Sequence, residues 1–403
     1  MFKNKSFFSN FFKPQVFFFF GLIITFFHIY RTISIFLGGS IAGLWDINAY
    51  QNAINFYNEG GNPYLEIFNG LRFVYSPFVL VVFGWFGNYL TLVLFCLYVI
   101  SFINFLRKKI CRVLIKNYFI TAFLFYNFFF WNAITTGNLS TFIHLFLITI
   151  GSNYKYIKQE YLFIATLLAS IIKPYFATYI FFIFLKNIDL KKKINYLLIF
   201  FTSFIILFFS QKIIYPELFS DFIFSLKSQT IGNNIGAGID IGIAPYSIFA
   251  NIFKNKILGL SFHLIILLIA FYYIYKNILR IRNSIDKSLY DNLIFFSLLT
   301  FIVFLNPRLK SIDFWIIIST STYFIFSLKE FISIPKKNLI LIFTFATSTI
   351  IWMFNFFVKF GIIKHINYYL IDMVCLYFPF FIGMIILPNF VKSKYSRQLI
   401  SKF

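Results

Sequence analysis

Apolar runs long enough to cross a bilayer recur along this chain from Val16 onward, and short basic clusters separate them. A run of about 20 apolar residues spans the hydrocarbon layer only as a helix, because every backbone N–H and C=O must find its partner inside the segment. The expected architecture is therefore an all-α polytopic membrane protein. Composition agrees, with 60% apolar residues, 12% charged residues and a mean hydropathy of +0.81 over 403 residues. So uniform an apolar content leaves no room for a large soluble domain or a disordered tail. Soluble enzymes, secreted factors and nucleic-acid binders are set aside. The formal charge of +23 points to no polyanion partner, since the basic residues fall mostly between apolar runs, as the positive-inside rule describes.

Taking apolar runs as spans and basic clusters as cytoplasmic gives about twelve transmembrane helices: 16-37, 77-104, 117-134, 139-152, 161-172, 174-186, 194-214, 257-275, 291-305, 314-328, 338-357 and 368-387. Both termini then lie inside, and 25 of the 36 Lys and Arg lie on the cytoplasmic side. The first run, after Lys3, Lys5 and Lys13, is longer than a signal-peptide core and reads as a retained helix. Segments 161-172 and 174-186 are short for full spans, so a re-entrant hairpin with Lys173-Pro174 at its tip is the alternative to two crossings. The chain reads as one integral membrane domain, 1-403, with two long outer segments, 38-76 and 215-256. Ile47 to Tyr57 in the first has the pattern of an amphipathic helix lying on the membrane surface. Cys96, Cys111 and Cys375 show no paired spacing, and His28, His144, His263 and His365 are scattered, so neither a disulfide framework nor a metal site is expected.

The outer segment 38-76 carries Trp45-Asp46-Ile47-Asn48-Ala49-Tyr50, then Gly60-Gly61-Asn62-Pro63-Tyr64, then Arg72-Phe73-Val74-Tyr75-Ser76-Pro77. Further on come Thr136-Gly137-Asn138 before a Leu/Ile-rich run, Ser170-Ile171-Ile172-Lys173-Pro174-Tyr175, and Leu305-Asn306-Pro307-Arg308-Leu309-Lys310-Ser311-Ile312-Asp313. In order and predicted side these elements resemble glycosyltransferase family 87, membrane transferases of the GT-C class. Three departures stand out: Asn138 occupies a position where Gln is usual, the proline after Lys173 is displaced toward it, and the segment from Leu305 lacks the His residues of some mannosyltransferase members. The resemblance implies a GT-C fold in a bacterial cytoplasmic membrane. It also implies a polyprenyl-phosphate-sugar donor, possible mannose transfer, a glycan or glycolipid acceptor, and Asp46 as the general base.

The chemistry of such a donor fits a single base. A phosphate leaves without being protonated, so the two-carboxylate arrangement of glycoside hydrolases is unnecessary. Asp46 at the bilayer edge takes the acceptor hydroxyl's proton as that oxygen attacks the anomeric carbon with inversion. Lys173, Arg308 and Lys310, at outer ends of apolar spans, are the candidates for the departing phosphate, with snorkelling toward headgroups as the alternative. Asp313 is either a second acid or base or the partner of one of those cations. Tyr50, Tyr64 and Tyr75 contact sugar or lipid, or else belong to an interfacial aromatic belt. Asn62 and Asn138 are further substrate-binding candidates, with a turn at Asn62-Pro63 and a cap on the helix after Asn138 as the alternatives. The bilayer is a further partner; no cofactor and no nucleic acid are expected, and no Asp-x-Asp pair suggests a metal. The rival reading is a secondary transporter or lipid flippase, which predicts charges deep within spans and two similar halves.

Overall fold

Apolar periodicity and turn chemistry together account for the elements seen in a computed structural model, which describes residues 44–125, 136–230, 253–280, 286–306 and 313–327, with isolated positions between 15 and 30 and at 246, 249 and 250. Helix α1 (Trp45–Asn58) is followed by a two-stranded hairpin, β1 (Ile67–Phe68) and β2 (Leu71–Arg72), and then by α2 (Pro77–Phe86), a 3-10 turn at Gly87–Tyr89 and α3 (Leu90–Arg107). Next come α4 (Lys109–Phe125), α5 (Leu139–Ser152), α6 (Gln159–Ile172), a 3-10 helix (Pro174–Leu185), α7 (Leu190–Ile214) and α8 (Pro216–Thr230). Helices α9 (Lys256–Arg280), α10 (Lys287–Phe304) and α11 (Phe314–Ser327) complete the described elements. The protein is thus mostly helical. Among the described residues, four stretches are long and apolar enough to cross a membrane: Pro77–Arg107, Leu190–Ile214, Lys256–Tyr273 and Lys287–Phe304. The expected spans 338-357 and 368-387 lie outside the described residues.

The chain divides into two compact units, one formed by Thr32–Cys111 with Asn132–Asp240, the other by Met1–Arg31, Arg112–Trp131 and Ile241–Phe403. In the first unit, α3 packs on α5, α6 packs on the 3-10 helix, and α7 lies against both of these. Phe200 of α7 is fully buried against Ala177 and Ile180 of the 3-10 helix, with Phe163 and Leu167 of α6 around it. The opposite faces are apolar and open: α3 exposes Leu92, Phe95 and Ile100, and α7 exposes Leu198, Ile206 and Phe209. Apolar surface of that extent belongs against lipid. In the second unit, α10 packs on α9 and α11. The hydroxyls there bond to their own helices or to each other, Ser297 to Leu293 O at 2.6 Å and Thr300 to Thr320 at 2.7 Å, as expected where water is absent.

Several details depart from the sequence expectation. The span placed at 77-104 is two helices, because Gly87 adopts φ 49° and ψ −127°, a conformation that only glycine takes easily. The 31 residues Pro77–Arg107 would extend about 46 Å as one helix, well beyond the roughly 30 Å hydrocarbon layer, whereas 18 residues reach about 27 Å. Helix α3, with 18 residues, is therefore sufficient as the crossing. Gln51 of α1 clamps the break: its amide nitrogen donates to Gly87 O at 2.7 Å and its oxygen accepts from Thr91 N at 3.1 Å. The hairpin is a small β element in an otherwise helical chain, turned by Asn69 and Gly70 at φ 51° and 77°, the pair of positive φ values that a two-residue turn needs. Residues 216–230, expected as part of an outer loop, form α8, with Pro216 opening the helix and Phe219, Phe222 and Ser225 on its buried face. Residues 231–245 of that segment lie outside the described residues.

Candidate functional site

The site is built on the first turn of α5. Its N-cap, Asn138, has extended backbone, and its side-chain oxygen accepts from Ser140 N at 2.9 Å, which satisfies one of the orphan amides of the helix start. The same side chain donates through Nδ2 to Asp46 Oδ2 at 2.7 Å. Asp46 sits in the first turn of α1 and is tied to the same segment by its backbone, since its N–H donates to Thr136 O at 2.9 Å. The two segments can approach so closely because residue 137 is glycine. Gly137 has φ +67°, and a Cβ there would lie 2.5 Å from Ile47 Cδ1.

Lys173 arrives at the same turn from the other side. Pro174 disfavours helical backbone in the residue before it, so α6 stops at Ile172 and Lys173 is extended, at φ −141° and ψ 120°. From this reversal its ammonium donates to Ser140 Oγ at 2.6 Å and lies 5.1 Å from the centre of the Tyr75 ring. Asn138 and Ser140 thus hold a carboxylate and an ammonium two residues apart on one helix turn. Asp46 and Lys173 are both half-buried, so each keeps part of its surface open.

Beneath them lies a layer of buried tyrosines. Tyr75 donates to the Tyr50 hydroxyl at 2.7 Å, their rings meeting edge to face at 5.1 Å, and Tyr64 donates to Tyr75 O at 2.9 Å. Burial, followed by the neighbouring Tyr75 and the Asp46 charge, raises the Tyr50 pKa well above the ordinary tyrosine value, against the lowering effect of the Leu139 amide. Tyr64 is raised chiefly by burial. Tyr50 and Tyr64 therefore stay neutral, and with Tyr75 they form a hydrogen-bonded support for the face that carries Asp46 and Lys173. Asn62 forms the expected turn, accepting from Tyr64 N at 3.1 Å, and also donates to Asp221 Oδ2 of α8 at 2.7 Å. Phe222 of α8 packs on Tyr64, and Ser225 donates to Phe73 O at 3.0 Å. Residues 62–75 and helix α8 consequently form one layer.

Asp46, Tyr50, Asn62, Tyr64, Tyr75, Asn138 and Lys173 are thereby brought together. Arg308 and Lys310 lie outside the described residues. Asp313, 3% exposed, directly precedes α11 in the other unit. Sequence reasoning passed over Ser140 and Tyr179, and weighed His144 only as one of four scattered histidines. Ser140 and His144 lie one turn apart on the buried face of α5, and His144 Nδ1 is 2.5 Å from the Tyr179 hydroxyl of the 3-10 helix. The i, i+4 spacing of two polar residues in an apolar run was the signal. Among the described residues no three His, Cys, Asp or Glu side chains gather as a cation site. No family model, curated protein or solved structure matches the chain.

Proposed function

We propose that the chain is a GT-C-type membrane glycosyltransferase. It takes a sugar, with mannose the first candidate, from polyprenyl phosphate and adds it to a glycan or glycolipid acceptor at the outer face of a bacterial cytoplasmic membrane. The observation that carries this reading is the α5 turn that holds Asp46 through Asn138 and Lys173 through Ser140. The acceptor oxygen attacks the anomeric carbon, its proton passes to the Asp46 carboxylate, and the bond from the anomeric carbon to the phosphate oxygen breaks with its electron pair on the phosphate. Lys173 stabilises that departing charge, and the N-terminus of α5 adds the favourable end of its dipole. Asn138 aims the carboxylate without removing its charge. Inversion follows from attack opposite the leaving group.

The test is reconstitution of the full chain in liposomes with radiolabelled polyprenyl-phosphate hexoses and a membrane extract as acceptor. Label should appear in a new glycosidic product with the wild type and not with Asp46→Asn. Movement of intact donor between leaflets without any new product would instead identify a flippase.

A further inference from the structure

The turns at the other end of α5, α6 and the 3-10 helix enclose a crevice that takes no part in the site above. Lys155 and Lys158 from the turn after α5, Lys186 from the end of the 3-10 helix, and Glu160, Tyr161 and Ile164 of α6 line a cavity of about 810 Å³. Lys186 is anchored, donating to Ile157 O in the turn after α5. Glu160 accepts from the Tyr196 hydroxyl of α7 at 3.3 Å. Three lysines against one carboxylate, Glu160, leave the crevice lining net cationic. The second feature is apolar. Tyr161, Ile164 and Leu168 recur at helical spacing on one face of α6, each more than half exposed. Two of them line the crevice, and Leu168 continues the stripe away from it toward the middle of the helix.

A cationic crevice at one end of a membrane helix, opening onto an apolar stripe along that helix, matches a molecule with an anionic head and hydrocarbon tails. We propose that this crevice seats the phosphate headgroup of an anionic phospholipid from the leaflet opposite the Asp46 site, with its acyl chains along Tyr161, Ile164 and Leu168. A basic pocket between helices is the kind of site that anionic headgroups occupy. The stripe favours a lipid over free phosphate, which would gain nothing from it. This inference does not depend on the transferase reading, because the crevice and the Asp46 cluster lie at opposite ends of the same helices.

Native mass spectrometry of the full chain in detergent, titrated with phosphatidylglycerol or phosphatidylcholine, reads the site directly. The wild type should retain one phosphatidylglycerol at least about tenfold more tightly than phosphatidylcholine. Lys155→Gln with Lys158→Gln should weaken only the anionic lipid, by about 10- to 30-fold, the worth of two lysines near a charged surface. Lys155→Arg with Lys158→Arg should retain it, which separates lost charge from lost fold. Equal retention of the two lipids, or unchanged phosphatidylglycerol binding in the Gln pair, overturns the proposal. So does displacement by glycerol phosphate at matching concentration, since a head without tails would then suffice.

Discussion

At the residue scale, Asn138 does two jobs that substitutions can separate. Asn138→Ala removes the cap, worth about 1 kcal/mol, together with a charge-assisted hydrogen bond to Asp46, worth about 1.5–3 kcal/mol. Asn138→Ser retains a capping oxygen but cannot donate an amide N–H to Asp46, so it should restore only the capping share of the thermal stability in detergent, about 1 kcal/mol, while leaving transfer impaired. Full activity in the Ser variant would show that Asp46 needs no orientation from Asn138. The buried tyrosines give a pH dependence. The Tyr50 pKa is raised in the folded protein, so the stability it contributes is complete below about pH 10, where the unfolded chain's tyrosines begin to ionise, and is lost as pH climbs from there toward the folded value. Alkaline unfolding midpoints should therefore be higher for Tyr50→Phe, relative to its own stability at pH 8, than for the wild type. The capping role of Asn138 and the turn at Asn62 were readable from sequence, because both act within two residues. Their links to Asp46 and Asp221 join residues 92 and 159 positions apart, which no local pattern encodes.

At the scale of elements, the close passage of α1 over the start of α5 depends on Gly137. Gly137→Ala adds a Cβ where Ile47 already stands and places a side chain at positive φ. It should cost about 1–3 kcal/mol in overpacking, plus about 1 kcal/mol of backbone strain. Transfer should fall with stability, because Asp46 rides on the displaced helix. Adding Ile47→Ala should recover part of both losses, and a thermal melt with a transfer assay on the double variant checks it. Absence of any recovery would mean that backbone strain, not the clash, dominates. The amphipathic pattern from Ile47 gave α1 almost to its ends, since its buried face repeats at helical spacing. The break at Gly87 was not recovered, because the apolar run resumes directly after the short Gly87-Asn88-Tyr89 interruption. The Asn69-Gly70 hairpin and the Pro216 helix start were written in plain turn and cap chemistry, and were hidden by reading both outer segments mainly as loop.

At the scale of the whole molecule, charge and hydropathy made the membrane character legible, while crossing number is a global property that short apolar helices such as α6 and the 3-10 helix obscure. With 14 and 12 residues these two reach about 21 and 24 Å, short of the hydrocarbon layer, and they pack together. Lys173 at their reversal and Asp46 of α1 are both held on the first turn of α5, and the proposed topology puts that turn on the outer side. In a background lacking the native cysteines, Cys at position 60 should react with an impermeant maleimide in intact cells, and Cys at 110, 190 or 283 only after permeabilisation. Shared labelling of 60 and 110 would remove the catalytic assignment along with the topology. The central claim is that Asp46 accepts the acceptor's proton during sugar transfer. Asp46→Asn preserves shape and removes that capacity, so single-turnover transfer of radiolabelled sugar from polyprenyl phosphate by the purified, folded variant measures the claim most directly. The account predicts a rate about 10²- to 10⁴-fold below wild type with donor binding little changed; a wild-type rate would contradict it.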